Sequence, residues 1–314
     1  MGLAFVFPGQ GSQAVGMGTE LAEAFAAARE VFEEVDDALG QKLSRLMRDG
    51  PIEDLTLTEN AQPALMAVSM AVVRTLQNQL DVSISQAGFV AGHSLGEYSA
   101  LAAASAITLG DTARLLRLRG QAMQRAVPVG EGAMASLIGP KTDVALAEAA
   151  AAIGAEIGVC VVANDNNAGN VVISGDKAAV DRAIEAAKAM GARAIALNVS
   201  APFHCPLMQP AADEMAEALA AAPIVPPRAP LVANVTARPV LDPDAIRRLL
   251  VEQITGRVRW RESIEWLAGE GGVTRFVEAG AGKVLTGMAK RIAPDADAVA
   301  LNTPADLEAF AKSL

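Results

Sequence analysis

Few residues in this chain can staple or metallate a small fold: 314 residues contain two cysteines and two histidines. Cys160 and Cys205 form neither a disulfide framework nor a CxxC pair. Two histidines without a neighbouring acidic cluster supply no metal-ligand set, so no catalytic metal is expected. Basic charge is outweighed, with 26 Lys and Arg against 36 Asp and Glu and a net charge of −10. That balance excludes the basic footprint of a non-specific nucleic-acid binder. It leaves room for an anionic substrate, because one buried arginine makes a local site inside an acidic protein. Long apolar runs are missing too: "ALAAASAI" falls far short of the ~20 residues of a membrane span. Met1 leads directly into a strand-like "LAFVF", with no basic segment and no small-residue cleavage site, and the expected compartment is the cytoplasm.

What is present is an enzyme-sized globular composition, 52% hydrophobic and 20% charged. "LAFVF" runs into a Gly/Gln-rich turn, "PGQGSQ", and helical periodicity then carries "ELAEAFAAAREVFEEVDDAL". A second helix is predicted after Pro63, in "PALMAVSMAVVRTLQNQL", and a short strand, "AGFVAG", enters a serine-containing turn. Helices follow in "EYSALAAASA" and "LGDTARLLRLRGQAMQRA". Such alternation predicts an α/β fold with a mostly parallel sheet.

The pattern changes after "VPVGEG". A strand (133–138), a helix (142–153), strands (157–163 and 170–174), a helix (177–190) and a last strand (192–198) spell βαββαβ, the ferredoxin-like order. The expected division is a large α/β domain from 1–127 and 199–314, carrying a small ferredoxin-like subdomain at 128–198.

Gly92-His93-Ser94-Leu95-Gly96 fits G-x-S-x-G, in which small residues two before and two after the serine permit a strained strand-to-helix turn. The serine oxygen then sits at a helix N-terminus, where free N–H groups favour developing negative charge. The competing reading is a serine that only caps the helix. His93 is adjacent to Ser94, and adjacent side chains on such a turn diverge. If a histidine activates Ser94, it is therefore His204 in "APFHCPLM", on a connection between elements. Cys205 reads as a small buried hydrophobe. Two Gly-rich turns imitate nucleotide loops. Gly9-Gln10-Gly11 resembles a dinucleotide fingerprint, but the acid-rich helical stretch after it offers no second strand. "EAGAGKVLTG" fails the phosphate-loop pattern at Val277 and Val284. Asn234-Val-Thr236 matches a glycosylation tripeptide, which has meaning only in a secreted chain.

"FVFPGQGSQAVGMG", "TENAQPAL", "GHSLGEYSAL", "LRLRGQAMQ", "PFHCPLM" and "EAGAGKVLTGMAKRI" together resemble the malonyl-CoA:acyl carrier protein transacylases of fatty-acid synthesis. The likeness runs from Phe5 to about Ile292. It implies a hydrolase-like α/β domain with a ferredoxin-like insertion, and a discrete enzyme rather than a synthase module. It also implies Ser94 as nucleophile, His204 as base, and the backbone N–H groups of Gln10 and Leu95 as the oxyanion hole. Arg119 would hold the malonyl carboxylate, and the Gln253 carbonyl would orient the histidine. A planar guanidinium suits a carboxylate through paired charge-assisted hydrogen bonds. From sequence alone, however, Arg119 is one of three arginines on a helix, with Arg114 and Arg117, and its direction stays open.

The implied partners are malonyl-CoA and a transiently bound acyl carrier protein, with no cofactor, nucleic acid or membrane and a monomeric chain. Arg247, Arg248, Arg257, Arg259 and Arg261 form a candidate basic patch for an acidic carrier protein. An esterase on the same turn and a nucleotide-binding module on the Gly-rich loops are the competing functions.

Overall fold

A computed structural model describes residues 2–314. Ten strands fall into two sheets: β1 (Leu3–Phe7), β2 (Phe89–Gly92), β7 (Leu231–Ala233), β8 (Arg238–Val240), β9 (Arg275–Ala279) and β10 (Asp297–Leu301) form one, in the order β10-β9-β1-β2-β7-β8. All of its pairings are parallel except the β7–β8 hairpin at one edge. Strand β1 shows why it lies at the centre. Leu3, Phe5 and Phe7 pack into one core, and Ala4 and Val6 into another on the opposite face. A strand apolar on both faces must be covered on both faces, and helices do so here.

The second sheet holds β3 (Gly132–Ile138), β4 (Cys160–Asn167), β5 (Asn170–Asp176) and β6 (Arg193–Ala196), ordered β4-β5-β3-β6 and wholly antiparallel. With the helices Val144–Gly154 and Lys177–Ala189 this is the ferredoxin-like βαββαβ unit. Ala135, Leu137, Val171 and Ile173 face the two helices in a core of their own. Met134 and Val172, on the opposite face, belong to the large core. The small sheet thus turns one face inward to its helices and the other toward the large sheet.

Several element boundaries differ from the sequence reading. The first helical stretch is two helices, Thr19–Ala24 and Ala26–Leu39, separated at Phe25, whose backbone is extended (φ −127°, ψ 126°). The helix expected after Pro63 spans Thr58–Gln79 with Pro63 inside it. Pro63 is the sixth residue of that helix, past its first turn, so its ring removes the amide that would have bonded the Glu59 carbonyl, and taking it as the helix start places the first turn five residues late. Strand β4 runs to Asn167, beyond the expected 163. Its continuation, Asn164-Asp165-Asn166-Asn167, is polar yet buried, so no apolar alternation announces it.

Candidate active site

Strand β2 ends at Gly92 and the helix Gly96–Ala103 begins four residues later. A Cβ on Gly92 would collide with the carbonyl of Gly96, and one on Gly96 with the carbonyl of Phe7. Both positions therefore require glycine. Ser94 adopts φ 52°, a left-handed conformation unfavourable for a side-chain-bearing residue. Asn234 holds the turn there: its Oδ1 accepts from the Ser94 N–H at 2.8 Å, and its Nδ2 donates to the Gly92 carbonyl at 2.7 Å.

His204 sits on a loop that precedes a short 3₁₀ turn, and it too has positive φ, 58°. Its Nε2 lies 2.8 Å from Ser94 Oγ, and its Nδ1 lies 2.8 Å from the Gln253 carbonyl. A carbonyl only accepts, so Nδ1 carries the hydrogen and Nε2 is left as the acceptor for the serine hydroxyl. Burial, followed by the charge of Arg119, lowers the His204 pKa to about 3. The imidazole is therefore neutral at ordinary pH.

Arg119 is turned inward and fully buried, whereas Arg114 on the same helix pairs with Asp111 at the surface. Its Nη1 donates to Gln62 Oε1 at 2.7 Å, and its Nη2 to Gln253 Oε1 at 2.8 Å and Ser94 Oγ at 3.2 Å. Gln253 thus serves two groups at once, His204 through its main chain and Arg119 through its side chain. Gln10, Leu95, Ser94, Arg119 and His204 line one cavity of about 280 Å³, and Gln253 lies buried beneath it. Among the described residues the backbone N–H groups of Gln10 and Leu95 have no protein acceptor. All six residues singled out from the sequence converge here.

Other contributors were not legible in the sequence. Gln62 lies in the helix Thr58–Gln79, bridging Arg119 to Thr58, whose hydroxyl in turn reaches Gln10 Oε1 at 3.0 Å. Asn234 matched only a glycosylation tripeptide. Asn166 reaches from β4 to His93 Nε2 at 2.9 Å, and the His93 ring meets Trp260 edge-on, so the ring next to Ser94 in sequence is engaged elsewhere and the Ser94 hydroxyl meets His204 instead. The one available signal was the polar run at 164–167 inside an otherwise apolar unit. Cys205 is buried, its thiol donating to the Pro202 carbonyl at 3.0 Å.

The remaining sequence expectations divide. No helix among the described residues is long and apolar enough to cross a membrane. The segment after the Gly9-Gln10-Gly11 loop is the helix Ala26–Leu39, and it brings no strand. Four of the five arginines of the candidate patch are already engaged by carboxylates: Arg247 by Asp244, Arg257 by Glu148, Arg259 by Glu262, and Arg261 by Asp165 and Glu265. These pairs neutralise most of the charge that made the run look basic.

Comparison with known proteins agrees with this geometry. The model of the acyl transferase domain family matches residues 4–300. The malonyl CoA-acyl carrier protein transacylase of Escherichia coli (strain K12) is 46% identical over 307 residues, covering 98% of this chain and 97% of its own. The crystal structure of acyl-carrier-protein-S-malonyltransferase from Bartonella henselae superposes with a TM-score of 0.96 at 56% identity, covering 100% of this chain and 99% of that one. A malonyl-transacylase in complex with a type II polyketide acyl-carrier protein superposes at 0.96 with 43% identity, each chain covered in full at 100%. With its strained serine turn meeting a histidine and a buried arginine in one cavity, the chain belongs to the malonyl CoA-acyl carrier protein transacylase family of acyltransferases.

Proposed function

We propose that this protein transfers a malonyl group from malonyl-CoA to the phosphopantetheine thiol of an acyl carrier protein, through a malonyl ester on Ser94. The observation that carries the reading is the Arg119 guanidinium lying 3.2 Å from the oxygen that His204 contacts. A fixed cation beside the nucleophile has no use in cleaving a simple ester. It is what a thioester with a free carboxylate calls for.

Ser94 Oγ attacks the thioester carbonyl while His204 Nε2 takes the hydroxyl proton. The oxyanion of the tetrahedral intermediate faces the Gln10 and Leu95 amides, donors typically worth ~3–4 kcal/mol each. Collapse expels the CoA thiolate, which receives the proton held on His204. The carrier protein's thiol then loses its proton to His204 and attacks the ester, and Ser94 recovers its hydrogen as it leaves. Gln62 and Gln253 fix one hydrogen on each terminal nitrogen of Arg119, orienting the fork so that the second hydrogen of Nη1, and that of Nη2 once it leaves the Ser94 hydroxyl, meet the carboxylate. Every proton and acyl group is accounted for by substrate and protein, so the reaction as written requires no cofactor.

The same reading gives a monomeric cytoplasmic enzyme whose partners are malonyl-CoA and, transiently, the carrier protein. It divides the chain into a large lobe, 1–127 and 199–314, and a small lobe, 128–198, with the cavity between them. Intact mass after brief incubation with malonyl-CoA or acetyl-CoA tests it. One malonyl adduct on the wild type, absent in Ser94→Ala and weakened in Arg119→Ala, is expected. Rapid CoA release with no adduct would make the protein a hydrolase.

A further inference from the structure

Arg119 is a buried cation with no carboxylate in ion-pair contact among the described residues. Its neighbours are two neutral amides, the Ser94 hydroxyl and the face of Tyr98, 5.8 Å from the ring centre. A buried charge needs compensation. The acid that supplies it is one amide away. Glu97, fully buried in the first turn of the helix Gly96–Ala103, accepts from Gln253 Nε2 at 2.6 Å and from the Asn234 N–H at 3.3 Å. Gln253 is therefore oriented with its oxygen on the cation and its N–H on the anion. The second oxygen of Glu97, Oε1, has no hydrogen-bond partner among the described residues.

We propose that Glu97 is the counter-charge of Arg119 in the free enzyme, relayed through Gln253, and that loading a substrate carboxylate onto Arg119 drives protonation of Glu97. The proposal rests on the reading of Arg119 as the carboxylate-binding residue. Two carboxylates sharing one buried cation cannot both stay ionised cheaply, and the one already desolvated takes the proton. The proton comes from solvent, settles on Oε1 without breaking either bond to Oε2, and returns when the acyl group departs. An acetyl group brings no carboxylate and leaves Glu97 as it was. The coupling acts on malonyl alone and makes Glu97 a specificity-determining, positioning residue.

The surroundings leave Glu97 as the group that titrates. Burial raises its pKa to about 7, so both forms are populated near neutrality. On its own helix, Tyr98 is pushed up to about 12 and is neutral. The loop contributes His204, lowered to about 3, and the turn contributes His93, lowered by burial. The helix Leu109–Ala126 contributes Arg119 itself. Strands β1, β2 and β7 carry no titratable residue at all. On the flanking helices, Glu59 is held by Gln121 and Arg74 by Glu34, away from this cluster, and Glu252 is exposed.

The test is the ratio of acylation kcat/KM for malonyl-CoA and acetyl-CoA as a function of pH, in wild type, Glu97→Gln and Arg119→Ala. The ratio cancels the ionisation of His204 and any loss of folded enzyme. In the wild type it should fall as pH rises through neutrality, approaching about tenfold per pH unit where Glu97 must be protonated for malonyl to load. In Glu97→Gln, which keeps the acceptor for Gln253 but carries no charge, the ratio should be flat. A flat wild-type ratio, or an unchanged slope in Glu97→Gln, overturns the coupling while leaving Arg119 in its role. If Arg119→Ala retains the wild-type preference for malonyl, the underlying reading of Arg119 falls instead.

Discussion

Two turns of this molecule are built alike and behave differently. Strand β2 passes through "GHSLG" into the helix Gly96–Ala103, and strand β9 passes through "GAGK" into the helix Val284–Ile292. Each leaves an interior parallel strand beside β1 in the large sheet, uses glycine where side chains would collide, and delivers a helix N-terminus whose first amides lack partners within the helix. At the second turn the strand supplies its own anion: Glu278 accepts from the Leu285 N–H at 3.1 Å and the Thr286 N–H at 2.7 Å. At the first, the carboxylate lies one residue inside the helix, at Glu97, and is spent on Gln253 and Asn234. The amide of Leu95 is left facing a cavity. An occupied helix N-terminus is architecture, and an empty one beside a nucleophile is a place for a transient oxyanion.

The sharpest break is expected at the first turn. His204→Ala should cut malonyl transfer about 10³-fold, measured as acylation rate, because no other base reaches Ser94. The same histidine gives a pH signature. With its pKa lowered to about 3, it stays an unprotonated base well into acid, so the wild-type rate of acetyl-CoA acylation should show no inflection near about 6.5. Gly96→Ala should cost about 3 kcal/mol in urea unfolding, since the new Cβ meets the backbone of Phe7. The second turn should respond in stability alone. Glu278→Ala strands two buried N–H groups and should cost about 2 kcal/mol, with the acyl adduct still forming in the folded fraction. Smallest of all, Gly287→Ala in the open face of the second helix should raise stability by about 0.5–1 kcal/mol and leave transfer unchanged. A loss of acylation in Glu278→Ala greater than its loss of folded protein would erase the contrast between the turns.

Much of this was visible beforehand because it is written locally. The glycines around Ser94 and the periodicities of βαββαβ are short-range signals, and a chain with one free histidine beyond the serine turn has few ways to build a base. The misses are of one kind. Gln62, Asn234 and Asn166 carry no local signature, since a buried amide looks like any surface amide until its partner is known. The pairing of the candidate basic patch was partly hidden for the converse reason: Asp244, Glu262 and Glu265 stand within four residues of their arginines, but Glu148 and Asp165 lie about a hundred residues from Arg257 and Arg261.

By itself the sequence determined the fold class, the strained serine turn and which serine and which histidine are the candidates for the chemistry. Each of these follows from patterning or from elimination among few residues. Only the tertiary structure decided that Arg119 points inward while Arg114 does not, that Gln253 serves His204 and Arg119 together, and that Glu97 stands behind them. Those are contacts between groups up to about 160 residues apart, and their energies depend on burial, which no single segment of chain possesses before it is packed against the others.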